Sequence, residues 1–159
     1  MADGLQRGCR YHFRQFKLRG IWSQLLEFTA VRVSESLDKQ APPSLLAIDS
    51  QVVKKMQFIN LDTGIDGGKS VNGRKRTILV DTLGIPWSVK VTAANISDNQ
   101  GAILAVSSLK GKAPSLQKIT ADGGYKTTFV DYVTREFKWE VEIAQKPEST
   151  QGFVPKKNR

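Results

Sequence analysis

From Arg76 onward the spacing of apolar side chains switches repeatedly between two periods, and this switching limits the fold more than any other feature of the chain. Arg76 to Thr82 supplies Ile78, Leu79 and Val80, and Leu83-Gly84-Ile85-Pro86 then turns the chain. Trp87, Val89 and Val91 come next, alternating with Ser88, Lys90 and Thr92. The pattern predicts two strands of an antiparallel hairpin, the second half-exposed. Ser97 or Asp98 can cap a helix whose Ala102, Ile103, Val106 and Leu109 form one apolar face, ending near Gly111 and Pro114. Leu116 to Ala121 reads as a strand running into Asp122-Gly123-Gly124. A second helix is expected with Phe129, Val130, Val133 and Phe137 on one side, and Thr128 and Asp131 spaced like a capping box. Trp139, Val141 and Ile143 alternate with Glu140, Glu142 and Ala144 as the last strand. A hairpin, then helix, strand, helix and strand, predicts an α/β layer with some antiparallel pairs.

Upstream the character differs. Ile21, Leu25 and Phe28, with Trp22 and Leu26 beside them, repeat at helical spacing after alternating basic and aromatic residues from Arg10 to Lys17. This predicts a basic helical segment over residues 1–40, which Pro42 and Pro43 end. The core is expected over residues 45–159. Its first element is the apolar run Leu45 to Ile48, read as a buried strand that ends in Asp49. Gly64, Gly67, Gly68 and Gly73 mark a flexible loop or wide hairpin connection across residues 60–73. A length of 159 residues suits one domain plus tails.

Charge points to the partner. The formal net charge is +9, with Arg7, Arg10, Arg14, Lys17 and Arg19 near the start and Lys69, Arg74, Lys75 and Arg76 in the middle. Such an excess favours polyanions, nucleic acid first among them. The plainer reading of the excess is a solvated surface with surplus lysine, and of Lys69, Arg74, Lys75 and Arg76 a charged hairpin in solvent. No window approaches the roughly 18 unbroken apolar residues of a membrane span, and the first ten residues carry no apolar signal core, so an intracellular protein is expected. One cysteine, Cys9, excludes an internal disulfide, and one histidine, His12, leaves no Cys and His set for zinc. A metal here must be a hard cation held by oxygen.

Asp49 and Asp122 each close an apolar run that reads as a strand, an unusual place for a carboxylate. If the two strands are neighbours, the carboxylates converge, and like charges about 4 Å apart repel by ~4 kcal/mol at an effective dielectric near 20. A divalent cation would remove that repulsion, and magnesium suits a site of one or two carboxylates completed by water and phosphate. The alternatives are an Asp-Gly turn at Asp122 and a strand-end cap at Asp49. Gly64-Ile65-Asp66-Gly67-Gly68-Lys69-Ser70 looks briefly like a phosphate-binding loop, but Thr63 stands where its first glycine belongs, and the residues after Ser70 read as a strand, not a helix. Lys69, Arg74, Lys75 and Arg76 are better read as contacts to DNA phosphates.

Three blocks together carry a resemblance: Asp49-Ser50-Gln51-Val52-Val53-Lys54, Asn72-Gly73-Arg74-Lys75-Arg76-Thr77-Ile78-Leu79-Val80-Asp81-Thr82-Leu83-Gly84, and Ala121-Asp122-Gly123-Gly124-Tyr125. In this order they resemble DDE transposases of bacterial insertion sequences, of the large group that includes insertion sequence five. Ala93 to Asp98, Gly101-Ala102 and the tail from Lys146-Pro147 to Gly152-Phe153-Val154 also sit in the expected order. The resemblance implies a ribonuclease-H-like mixed sheet with flanking helices. It implies that Asp49 and Asp122 are catalytic metal ligands for Mg2+ or Mn2+, and that Lys54 joins the other basic residues on double-stranded DNA, both element ends and target. It implies cleavage at the 3' end of the element and attack of the freed hydroxyl on target DNA, in the bacterial cytoplasm with the nucleoid. The family's third acid is a glutamate on a later helix; Glu140, Glu142 and Glu148 do not match it, and Val52 stands where a small hydroxyl residue is usual. The chain is therefore expected to be a central fragment, inactive alone, with uncovered apolar surface that invites aggregation or homo-oligomer formation. The competing expectations are a DNA-binding remnant that competes with full-length transposase and a different nuclease of the same fold.

Overall fold

The computed structural model describes residues 2–39, 41–56, 62–125 and 127–144. Two helices open the chain, α1 (Ala2–Leu18) and α2 (Ile21–Ser36). The turn between them needs Gly20, whose φ of 69° is readily available only to glycine. Strand β1 (Leu45–Lys54) begins the sheet, succeeded by β2 (Gly64–Asp66), β3 (Val71–Val80) and β4 (Pro86–Ala93). Helix α3 (Asp98–Ser107), strand β5 (Lys118–Asp122), helix α4 (Thr127–Phe137) and strand β6 (Glu140–Ala144) complete the series.

The expected mixed α/β architecture is the one observed. The sheet runs β2-β3-β1-β5-β6, with β4 also pairing β3. β1 is antiparallel to β3 and parallel to β5, and β5 is parallel to β6. Four strands in antiparallel pairing, β1 to β4, joined through β1 to the parallel strands β5 and β6, with helices between the later strands, are consistent with the ribonuclease-H-like layout.

Burial alternates along the strands and assigns the two faces. Leu46 and Ile48 on β1, Leu79 on β3, and Ile119 and Ala121 on β5 are buried together with Ala102, Ala105 and Val106 of α3 and Phe129 and Val133 of α4. Burying such side chains contributes roughly 1.5–3 kcal/mol each. The opposite residues of β1, Ala47 and Asp49, are exposed. One face of the sheet is thus closed by α3 and α4, and the other is open around Asp49.

Several local expectations hold and several do not. Ser97 caps α3 by accepting from the Gln100 N–H, and the Gln100 side chain returns to the Ser97 N–H, a reciprocal capping box. Thr128, by contrast, lies inside α4 and does not precede it. β1 does not end at Asp49 but continues to Lys54, because β3 pairs with it residue for residue from Ala47↔Val80 to Lys54↔Gly73. Of the two alternatives for the glycine-rich stretch, the hairpin is the one found: β2 pairs β3 from Gly64↔Gly73 to Asp66↔Val71. Its first residues, 60 and 61, lie outside the described residues, as do Glu148 and the tail from Lys146. The β3–β4 turn is held by Asp81, whose Oδ1 accepts from the Leu83 and Ile85 N–H groups and whose Oδ2 accepts from Trp87 Nε1 at 3.0 Å.

Candidate metal and nucleic-acid site

Asp49 and Asp122 reach the same place by strand register. β1 and β5 pair in parallel as Leu45↔Lys118, Leu46↔Ile119 and Ala47↔Thr120. Followed two positions further along each strand, that register brings Asp49 and Asp122 to the same edge of the sheet, where both lie near the Tyr125 hydroxyl. Matched positions of neighbouring strands share a face, so both carboxylates stand on the open side. Both residues are exposed.

Each carboxylate is oriented by a nearby backbone N–H. The Ser50 N–H donates to Asp49 Oδ1 at 2.7 Å. The Gly124 N–H donates to Asp122 Oδ1 at 2.9 Å, and the Tyr125 N–H donates to the Asp122 carbonyl at 3.2 Å. Asp122-Gly123-Gly124-Tyr125 is therefore a turn, the alternative that Asp-Gly suggests, and the turn itself aims the carboxylate.

Cross-strand rows lead from these acids to cations. Asp49 is opposite Ile78, which is opposite Val89; Gln51 is opposite Arg76, then Val91; Val53 is opposite Arg74, then Ala93. Arg76 donates to Gln51 Oε1 at 2.6 Å and remains exposed. Val53, Lys54, Lys55, Met56, Thr63, Arg74, Arg76 and Val91 line a shallow cavity of about 240 Å³. Arg74 Nε is buried there without a hydrogen-bond partner among the described residues. Lys54 is exposed at the end of β1, and Lys69 is exposed in the β2–β3 turn.

Lys75 departs from its expected role. It is only 5% exposed, because its side chain projects from β3 to the covered face with those of Thr77 and Leu79. Its Nζ lies 3.0 Å from Asp98 Oδ1 and 3.5 Å from Asp66 Oδ2, and it donates to the Ile96 carbonyl at 2.9 Å. A lysine held this way cannot reach a DNA phosphate without breaking its ion pairs. Burial pushes the Asp98 carboxyl up, but hydrogen bonds from Ser50 and Lys75 outweigh it and hold the group below its ordinary value of 3.8. The Lys69 N–H is the main influence holding the Asp66 carboxyl below 3.8, with the Gly68 N–H and Lys75 adding to it against burial.

Glu140 and Glu142, which the sequence pattern sets apart from the ligands, both pair with Lys118, at 3.2 and 2.8 Å. Hydrogen bonds from Lys118 to Glu142 first, then to Glu140, raise the lysine's pKa. Among the described residues, no group of three or more His, Cys, Asp or Glu side chains is placed to hold a metal ion. The Asp49 and Asp122 pair still fits a hard cation in donor chemistry: all-oxygen, exposed to water, with cations on the same face to receive phosphate.

A mixed sheet carrying two exposed carboxylates at one edge, bordered by arginines, is an arrangement suited to metal-assisted chemistry on phosphodiesters. The profile of the transposase DDE domain family matches residues 40–157, and the chain belongs to that family. No curated protein and no solved structure gives a significant match. Members of the family carry out nuclease and transposition chemistry on DNA and generally use a divalent metal. Among the described residues, no helix is long and apolar enough to cross a membrane.

Sequence reasoning misses Ser50, which binds Asp98, and misses Asp66 and Asp98 as partners of Lys75; Asp98 stands out in the sequence only as an alternative helix cap. The available signal is the period-two pattern of β3: counting back from Leu79 through Thr77 places Lys75 inward.

Proposed function

We propose that this chain is a transposase core of the insertion-sequence-five-like group, with Asp49 and Asp122 as its first two acids and magnesium or manganese as its metal. The observation that supports the reading is the parallel register of β1 and β5, which, followed two residues past Ala47 and Thr120, leads both strands to their aspartates. Arg74 and Arg76, on the same face, and Lys54 and Lys69 at its margin position the phosphate backbone of double-stranded DNA, at element ends and at the target. We read residues 1–40 as a basic helical segment, which packs on the core through Ala30, and residues 45–159 as the core.

Asp49 and Asp122 hold their carboxylates toward the scissile phosphate, each steadied by its backbone N–H. A bound divalent cation would stabilise the attacking and leaving oxygens of an in-line displacement. Water cuts the phosphodiester at the 3' end of the element, and the freed hydroxyl then displaces a target phosphodiester. The third acid of such a site lies outside the described residues. The protein acts in the bacterial cytoplasm, on the nucleoid.

A second reading, a DNA-binding protein without cleavage that competes with complete transposase, is favoured by the absence of a third ligand beside the pair among the described residues. A magnesium-dependent nicking assay on DNA bearing the element's ends separates the two. The chain is compared with a version extended by the sequence encoded downstream. Cleavage by the extended version, abolished by Asp49→Ala or Asp122→Ala, supports the transposase core. Salt-sensitive binding with no cleavage by either version supports the second reading.

A further inference from the structure

Beneath the open-face acids, on the covered side of the sheet, four elements meet at one polar junction. Ser50 of β1 donates from Oγ to Asp98 Oδ1 at 2.7 Å, where α3 begins. The same oxygen takes Lys75 Nζ of β3 at 3.0 Å, and Lys75 reaches Asp66 of β2 and the Ile96 carbonyl. The Lys75 side chain is 6% exposed and that of Asp66 13%. Nothing in the proposed strand-transfer chemistry requires these groups. A buried lysine nevertheless survives only where its partners are fixed, since an unpaired buried charge is strongly destabilising.

The junction fixes the piece of β1 next to Asp49. Ser50 adjoins Asp49 directly, and its own N–H is the donor that orients Asp49 Oδ1. Strand alternation sends the two side chains to opposite faces. A tether on Ser50 Oγ therefore restrains the peptide carrying that N–H without entering the open site. β1 pairs with β5 over Leu45 to Ala47, so beyond Ala47 the strand has β3 on one side and, among the described residues, no ladder partner on the other. The junction acts where sheet hydrogen bonding on that side has ended.

We propose that Ser50, Asp98 and Lys75 are positioning residues for Asp49, holding it at the separation from Asp122 that a divalent cation requires. The proposal rests on the reading of Asp49 and Asp122 as a metal pair. Groups that steady a ligand from behind commonly contribute about 10-fold to 100-fold in metal affinity.

The test is Mn2+ binding to the full chain, measured by electron paramagnetic resonance well below the melting temperature, with folding checked by circular dichroism. Ser50→Ala is expected to weaken Mn2+ binding roughly tenfold, while Ser50→Thr, which keeps the hydroxyl, stays near wild type. If Ser50→Ala does not fold, Asp98→Ala decides in its place, since it removes the acceptor that holds Ser50 Oγ; weakening of similar size is expected. A merely structural role would lower the melting temperature and leave the affinity of folded protein unchanged. Folded variants that bind Mn2+ within twofold of wild type overturn the proposal. Asp49→Asn and Asp122→Asn serve as the separate control: if binding survives both, the metal-pair reading itself fails, and the positioning role fails with it.

Discussion

On the covered face of the sheet, the cation of Lys75 is matched by Asp66 and Asp98, and apolar side chains from α3 and α4 fill the remaining space. On the open face, Asp49 and Asp122 are exposed at the ends of neighbouring strands past their paired residues, and Arg74 and Arg76 lie along β3. The same strands build both faces, one residue out of phase. The contrast separates charge that serves folding from charge left free for a ligand. Two like charges on adjacent strands oppose the folded state and are tolerable where a cation or solvent screens them. Val89 and Val91, each 44% exposed, show that the open face also carries apolar surface.

The largest effect should come from the covered face. Phe129 is fully buried in the core, and Phe129→Ala should destabilise the chain by about 3–5 kcal/mol. This amounts to a fall of roughly 10 °C in thermal melting. Asp49→Asn and Asp122→Asn should leave the melting temperature unchanged or slightly raised in metal-free buffer, because each removes one of two like charges. A large loss of stability from either would break the distinction between the faces.

The junction beneath β1 gives a pH signature. Asp66 and Asp98 titrate below their ordinary value of 3.8 in the folded chain. The stability they contribute is present above pH 3.8 and is lost as the pH falls through their lowered folded values. Acid titration by circular dichroism should show this loss below about pH 4. Lys75→Met removes a partner that lowers both carboxyls and should shrink the acid-dependent part. An unchanged acid profile in Lys75→Met would show that the buried lysine is not what depresses the two acids.

DNA binding sharpens the same comparison. If Lys54, Lys69 and Arg76 contact phosphates, replacing each with alanine should reduce the slope of log affinity against log salt by about 0.9. Lys75→Met should leave the slope unchanged, because that charge is already paired inside the protein. A reduced slope for Lys75→Met would mean that the junction opens on DNA. The smallest effect belongs to Tyr125, which is 3% exposed and whose buried hydroxyl lies beside Ser50. Burial is the main reason its hydroxyl pKa is raised. Tyr125→Phe removes that hydroxyl and should change thermal stability by no more than about 1 kcal/mol.

Much of this arrangement is legible in the residues, because period two and period 3.6 alternate cleanly from Ile78 to Ile143. The strand and helix order is readable from Val89 and Val91, from Ala102 to Leu109 and from Phe129 to Phe137. The two aspartates stand out because each closes an apolar run. The sequence nevertheless puts Asp49 at a strand end: Ser50 to Lys54 carry few core side chains, and their strand character comes from pairing with β3. β2 escapes sequence reading because three residues among glycines leave no periodic trace, and its partner is fixed only by tertiary pairing. Charge alone groups Lys75 with Arg74 and Arg76, although adjacent strand residues face opposite ways. Its partners Asp66 and Asp98 are distant in sequence, and only the assembled sheet brings them to it.

A divalent cation shared by Asp49 and Asp122 is the central claim, and iron-mediated cleavage of the protein backbone tests it most directly. Fe2+ with ascorbate and peroxide, bound in place of magnesium, should cut the chain near residues 49 and 122 together. Excess Mg2+ should suppress both cuts, and Asp49→Asn or Asp122→Asn should abolish both. Cuts confined to another region, or cuts at one aspartate that persist when the other is replaced, would contradict a shared site.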